Sequence, residues 1–166
     1  GLQRGWKVLG GKHGALPERI TCDVAIIGSG AGAGITAELL TKAGLNVVIV
    51  EEGQLKSSTD FKQKEPEAYA SLYQENAGRK TKDKGITILQ GRSVGGTTTV
   101  NWTSSFHTPP DTLKFWQDKF GLKDYTTETL APYFQQAQTR LNISPWATSP
   151  NENNELLRRG AAKLGI

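Results

Sequence analysis

An apolar, largely β-branched run, Val24-Ala25-Ile26-Ile27, stops at Gly28-Ser29-Gly30-Ala31-Gly32-Ala33, and apolar residues then recur at helical spacing through Ile35, Leu39, Leu40 and Ala43. Few folds accommodate that order. A short continuous apolar segment ended by glycines predicts a strand over Asp23–Gly28 that is buried on both faces. The helical spacing predicts a helix over Gly32–Ala43 with Gly44 as its stop, and the run Asn46–Glu51 predicts a second buried strand. Short connections around a crossover helix make this a β-α-β unit, with two adjacent parallel strands joined right-handedly. The fold class is α/β, a Rossmann-like parallel core with helices inserted and appended.

The glycine segment fits the pattern G-x-G-x-x-[G/A], and its position between strand and helix gives the pattern meaning. Gly28 permits a tight turn, Gly30 lets the backbone approach a pyrophosphate, and small Ala33 lets the helix pack closely on the strand. The helix start offers unpaired N–H groups and a partial positive charge to phosphates. Glu51 closes the second strand roughly 20 residues on, where a carboxylate accepts hydrogen bonds from an adenosine ribose and disfavours a 2′-phosphate. A tight turn in an unrelated α/β fold would also use such glycines. Strand, loop, helix, strand and terminal acid together favour dinucleotide binding, without separating NAD from FAD. Glu52 reads as a solvated neighbour.

The rest of the 166 residues extends this core. Residues 1–19 are glycine-rich and polar and read as a flexible leader. After Gly53 the chain turns polar, and Pro66 opens a helical stretch with Ala68, Tyr69, Leu72 and Tyr73 on one face, closing near Gly78. Ile86–Leu89 is a further strand candidate. Helices are expected from about Asp111 to Phe120, with Leu113, Trp116 and Phe120 inward, and from about Thr127 to Leu141, with Tyr133, Phe134, Ala137 and Leu141 inward. A last helical pattern carries Leu156, Leu157, Ala161 and Leu164. The length fits one domain with one core.

Composition narrows the function classes. The single Cys22 excludes an internal disulfide, no Cys/His cluster has metal-ligand spacing, and a reducing, cytoplasmic setting is expected. No apolar run reaches the length of a membrane span, although membrane association through other means stays open. The net charge of +4 is spread over interspersed acids and bases, so no nucleic-acid partner is expected. The densest basic patch, Arg79, Lys80, Lys82 and Lys84, reads as a solvated loop.

A second glycine-rich segment, Gly91-Arg92-Ser93-Val94-Gly95-Gly96-Thr97-Thr98-Thr99-Val100-Asn101, is too small and polar for a core and offers backbone and hydroxyl donors together. With VAIIGSGAGAG and IVEEG before it, this segment resembles the glucose-methanol-choline (GMC) oxidoreductases, flavoenzymes that oxidise alcohols. The continuation Asn101-Trp102-Thr103-Ser104-Ser105-Phe106-His107-Thr108-Pro109 is most similar to the branch containing long-chain fatty alcohol oxidases. The resemblance covers about residues 20–165. It implies that 20–166 is an FAD-binding domain that stops before a substrate domain. Gly28, Ser29, Gly30, Ala31, Gly32 and Ala33 would surround the FAD pyrophosphate, and Glu51 would bind the adenosine ribose. Gly95, Gly96 and Thr97 would line the pyrophosphate-ribityl stretch, Asn101 would lie near the isoalloxazine, and Arg92 would face either a phosphate or a surface acid. Val100 stands where some members attach FAD through a His, so noncovalent FAD is expected. His107 stands at a position where that branch often carries a basic residue, and it reads as a polar surface substitution.

The same resemblance implies a hydride transfer from an alcohol CH–OH to flavin N5, with a histidine base in a C-terminal part of the family's proteins. No catalytic residue and no metal ligand is assigned among these residues, and the alcohol would be held by a domain outside them. Two other readings remain. One is an NAD-binding dehydrogenase module, which leaves Gly91–Asn101 without a task; the other is a noncatalytic FAD- or nucleotide-binding subunit.

Overall fold

Val24–Ile27 forms strand β1 and Val47–Val50 forms strand β2, and the two pair in parallel with Val24 opposite Val47 and Ile27 opposite Val50. The computed structural model describes residue 3, residues 5–145 and residues 147–166. Between the strands runs helix α1, Ala31–Lys42, which ends as Gly44 turns left-handed at φ 90°. The pairing is extended at both ends. Asn46 N–H donates to Asp23 Oδ2 at 2.7 Å, and Gly28 N–H donates to the Val50 carbonyl at 2.7 Å. The expected β-α-β unit is present.

Burial departs from the expectation. The strands were expected to be covered on both faces, yet Ile27 is 81% exposed, and Ile35 and Leu39 on α1 are also open to solvent. Periodicity marks an apolar face, and α1 is the helix that packs against these strands. In place of one core there are two compact units, residues 1–102 and 103–166, each with its own buried leucine: Leu72 in the first and Leu113 in the second.

In the first unit helix α2 covers Glu65–Leu72 and is shorter than expected. Tyr73 is extended and bridges antiparallel to Gly91, so the helix cannot continue. A 3-10 turn follows over Gln74–Ala77, with Glu75 and Asn76 in left-handed conformations. Ile86–Leu89 does not form the expected strand. The chain doubles back there in a short hairpin, where Lys80 bridges Thr87 and Ile88 N–H reaches the Arg79 carbonyl at 2.8 Å. The basic patch therefore sits on that hairpin. In the leader, Gly11–His13 forms a 3-10 turn and Lys12 pairs with Asp60 at 3.5 Å.

The second unit is helical: α3 spans Pro110–Phe120, α4 Thr127–Leu141 and α5 Glu152–Lys163. Proline at its start and left-handed Gly121 at its end delimit α3. Helix α4 starts on a reciprocal cap: Thr126 Oγ1 accepts the Thr129 N–H at 3.2 Å, and Thr129 Oγ1 accepts the Thr126 N–H at 2.9 Å. Thr126→Ala is expected to lower stability by about 1 kcal/mol, read as a lower denaturant midpoint. Of the residues expected to face inward from α4, Tyr133 and Leu141 are exposed and Phe134 is half-buried; Phe120 on α3 is exposed too.

Candidate functional site

The first glycine segment begins where β1 ends. Gly28 adopts φ 85°, a left-handed turn that a side chain would strain, and Gly30 is the first residue of the helix cap. No side chain caps α1, which leaves the first N–H groups of the helix, on Ala31, Gly32 and Ala33, without a side-chain acceptor. This is the arrangement that suits a phosphate.

Glu51 follows β2 directly and turns back toward this loop. Its Oε2 accepts the Ser29 N–H at 2.9 Å and the Ser29 hydroxyl at 2.6 Å, while Oε1 accepts the Gly53 N–H at 2.8 Å. Partial burial pushes the Glu51 carboxyl up, but the hydrogen bonds from the Ser29 hydroxyl, Gly53 N–H, Ser29 N–H and Glu52 outweigh it. The net effect holds the pKa below the usual carboxylate value. Glu52 is exposed, as expected, and is engaged by Gln74 and by Arg92 Nε at 3.2 Å. Arg92 therefore meets a surface acid.

The second glycine loop is tied down on two sides. Gln54, just after Glu51, bridges Ser93 in parallel, and Val94 N–H donates to the Gln54 carbonyl at 3.1 Å. On the other side Arg92 N–H reaches the Leu72 carbonyl at 2.6 Å, and Gln74 N–H reaches the Gln90 carbonyl at 2.9 Å. The tethers carry Gly95 and Gly96, both left-handed, against the first loop. Gly95 N–H donates to Ser29 Oγ at 3.0 Å. A Cβ added at Gly96 would lie 3.0 Å from Gly30 Cα and 3.4 Å from Gly30 N. The two glycine loops are in backbone contact.

The threonine hydroxyls behave differently from the expectation that they offer donors to a ligand. Thr98 donates to the Gly95 carbonyl and Thr99 to the Val94 carbonyl at 2.8 Å, so both protons brace the loop itself. Thr97 Oγ1 accepts the Gly91 N–H at 3.2 Å, and among the described residues its own proton meets no acceptor. Asn101 is exposed and lines a hollow of about 780 Å³, together with Phe61, Ala68, Leu72, Tyr73 and Val100.

Three residues outside the sequence assignment shape the site. Gly53 and Gly91 have no room for a side chain: an added Cβ would fall onto the Arg92–Ser93 peptide in one case and onto Gly96 in the other. Ser93 is fully buried, and its hydroxyl has no hydrogen-bond partner among the described residues. The glycines were visible in the sequence, but nothing local in IVEEG or QGRS shows which backbone lies against them.

In the second unit His107 stacks on Phe134, with ring centroids 4.5 Å apart and an interplanar angle of 12°. A small hollow of about 80 Å³ adjoins them. Among the described residues no cluster of His, Cys, Asp or Glu is placed to hold a metal ion, and no helix is long and apolar enough to cross a membrane.

A parallel β-α-β unit whose glycine turn meets a second glycine loop is a Rossmann-like α/β fold. The N-terminal portion of the family described as GMC oxidoreductase matches residues 69–166, and the chain belongs to this family. Long-chain-alcohol oxidase FAO4A of Arabidopsis thaliana is 32% identical over 148 residues, which are 89% of this chain and 20% of that protein. Cholesterol oxidase of Mycobacterium tuberculosis (strain CDC 1551 / Oshkosh) is 32% identical over 126 residues, 73% of this chain and 22% of that protein. The chain thus spans about a fifth of the length of these two relatives. The crystal structure of pyridoxine 4-oxidase from Mesorbium loti shares the fold, with a TM-score of 0.51 and 22% identity over 69% of this chain and 24% of that one.

Proposed function

We propose that this chain is the FAD-gripping part of an oxidoreductase that acts on the CH–OH group of alcohols, with residues 20–166 as the FAD-binding portion. The single observation that carries the reading is the close approach of Gly96 to Gly30, which sets the backbones of the two glycine loops side by side. A dinucleotide held by the first loop alone would leave the second without a ligand, and this disfavours the NAD module.

The donor set fits the cofactor. The N–H groups of Ala31, Gly32 and Ala33 face the pyrophosphate at the helix start, with Gly28 and Gly30 keeping the turn free of side chains. Ser29 fills both acceptor positions of Glu51 Oε2, so the adenosine ribose would be met by the position on Oε1 that Gly53 leaves. Gly95, Gly96 and the remaining hydroxyl proton of Thr97 attend the stretch between pyrophosphate and flavin. Asn101, beside its hollow, orients the isoalloxazine edge and shapes where an alcohol approaches. Bound FAD supplies the hydride acceptor. Val100 carries no nucleophile, so the cofactor is held noncovalently. The proton acceptor for the alcohol lies outside these residues, and the alcohol itself is proposed to be lipophilic, after the long-chain-alcohol and cholesterol oxidases among the relatives.

The full-length protein is expected to purify with flavin absorbance and to release FAD on denaturation. Long-chain primary alcohols and sterols should each be offered as substrates. Absence of flavin, with stabilisation by NAD in its place, would overturn the reading.

A further inference from the structure

Ser29 has two hydrogen-bond donors, its backbone N–H and its hydroxyl, and both go to the same Glu51 oxygen, at 2.9 and 2.6 Å. A serine hydroxyl has one proton to give and lone pairs to receive. With the proton committed to Glu51, an acceptor remains, and Gly95 N–H from the second glycine loop fills it at 3.0 Å. The bonds form a directed chain from Gly95 to Ser29 to Glu51, closed on the far side by Gly53 N–H at 2.8 Å. It joins backbone segments 66 residues apart. A carboxylate at its end orients the hydroxyl and strengthens each bond behind it.

We propose that Ser29 is a positioning residue that latches the second glycine loop onto the first through Glu51, and that the latch weakens when Glu51 takes up a proton. Its consequence for cofactor binding rests on the flavin reading above; the latch itself does not. Ser29 is then not a phosphate ligand, because both its donors are spent, and the phosphates fall to the free N–H groups of α1. The charge that matters is Glu51's own. Its lowered pKa arises from hydrogen bonds with no contribution from a charged side chain, and the adjacent Glu52 is engaged by Arg92 and Gln74.

Hydrogen exchange across residues 91–99 of the full-length protein, with the β1 and β2 amides as internal reference, tests the latch with or without cofactor. Ser29→Ala is expected to speed exchange in the 91–99 segment about tenfold, as for loss of one bond into a charged acceptor, while the strands stay protected. Ser29→Thr, which retains the hydroxyl, should restore protection. In the unmodified protein the protection factor of this segment should fall as pH drops through the Glu51 titration, and this arm requires no variant. FAD affinity, read by flavin fluorescence, should weaken about tenfold in Ser29→Ala and recover in Ser29→Thr. Unchanged exchange in Ser29→Ala, or protection in the unmodified protein that ignores pH, overturns the latch. An unmodified protein that binds no FAD overturns the flavin reading instead, and leaves the exchange result to decide the latch.

Discussion

Gly53→Ala is expected to unseat the second glycine loop and to abolish cofactor retention. The added Cβ would fall onto the backbone of Arg92 and Ser93, not onto the end of a flexible side chain, so no rotamer change relieves it. Either the chain after Glu51 or the start of the second loop must move. Both are fixed points, since Gly53 N–H holds Glu51 Oε1 and Gln54 receives the Val94 N–H. Overpacking of this kind costs about 1–3 kcal/mol where side chains can shift. With peptide against peptide the upper end is expected, about 3 kcal/mol, together with loss of bound flavin from the full-length protein. Gly34→Ala is the contrast. It lies within α1 with open space where its Cβ would go, and alanine there should stabilise by about 0.5–1 kcal/mol. Paired thermal unfolding curves and flavin-to-protein ratios check both. A Gly53→Ala protein as stable and as yellow as the unmodified one would show that the loops do not meet as described.

How much of this was legible in the sequence follows from how local each determinant is. The strand, glycine turn, helix and strand over Val24–Val50 were readable because periodicity and the glycine stops act within a few residues. Helix α2 ended early for a reason its own residues do not carry: Tyr73 is drawn into an extended pairing with Gly91, across a gap that no local signal spans. Ile86–Leu89 has strand-forming residues, but the left-handed turn at Lys84 sends it back on Arg79–Thr81. Within the site, residue types were readable and hydrogen-bond directions were not. The sequence shows three hydroxyls after Gly95-Gly96, and only the folded loop turns two of their protons inward. Nothing local shows that both donors of Ser29 turn to Glu51. Exposure was the least legible quantity, because the pattern of Ile27, Ile35 and Leu39 says that a face is apolar and nothing about what lies against it.

Glu51→Gln should show how much the two loops depend on that carboxylate. Three donors converge on it, from the Ser29 N–H, the Ser29 hydroxyl and the Gly53 N–H, and they occupy both oxygens. A glutamine keeps one acceptor oxygen and turns an NH₂ toward the other donor, so one contact becomes donor against donor. Bonds to a charged acceptor contribute about 1.5–3 kcal/mol, and the partial exposure of Glu51 favours the lower end, about 1.5 kcal/mol lost at neutral pH. The pH dependence fixes the cause. The folded-state pKa of Glu51 lies below its ordinary value, so its contribution is full above the ordinary carboxylate range and is lost as pH falls through the lowered value. The stability difference between the unmodified protein and Glu51→Gln should therefore be constant near neutrality and shrink toward zero in acid. Urea unfolding of both proteins from about pH 7 down to about pH 3 measures it. A difference that persists undiminished in acid would mean that glutamine fails for its shape, and that the charge on Glu51 does not hold the loops together.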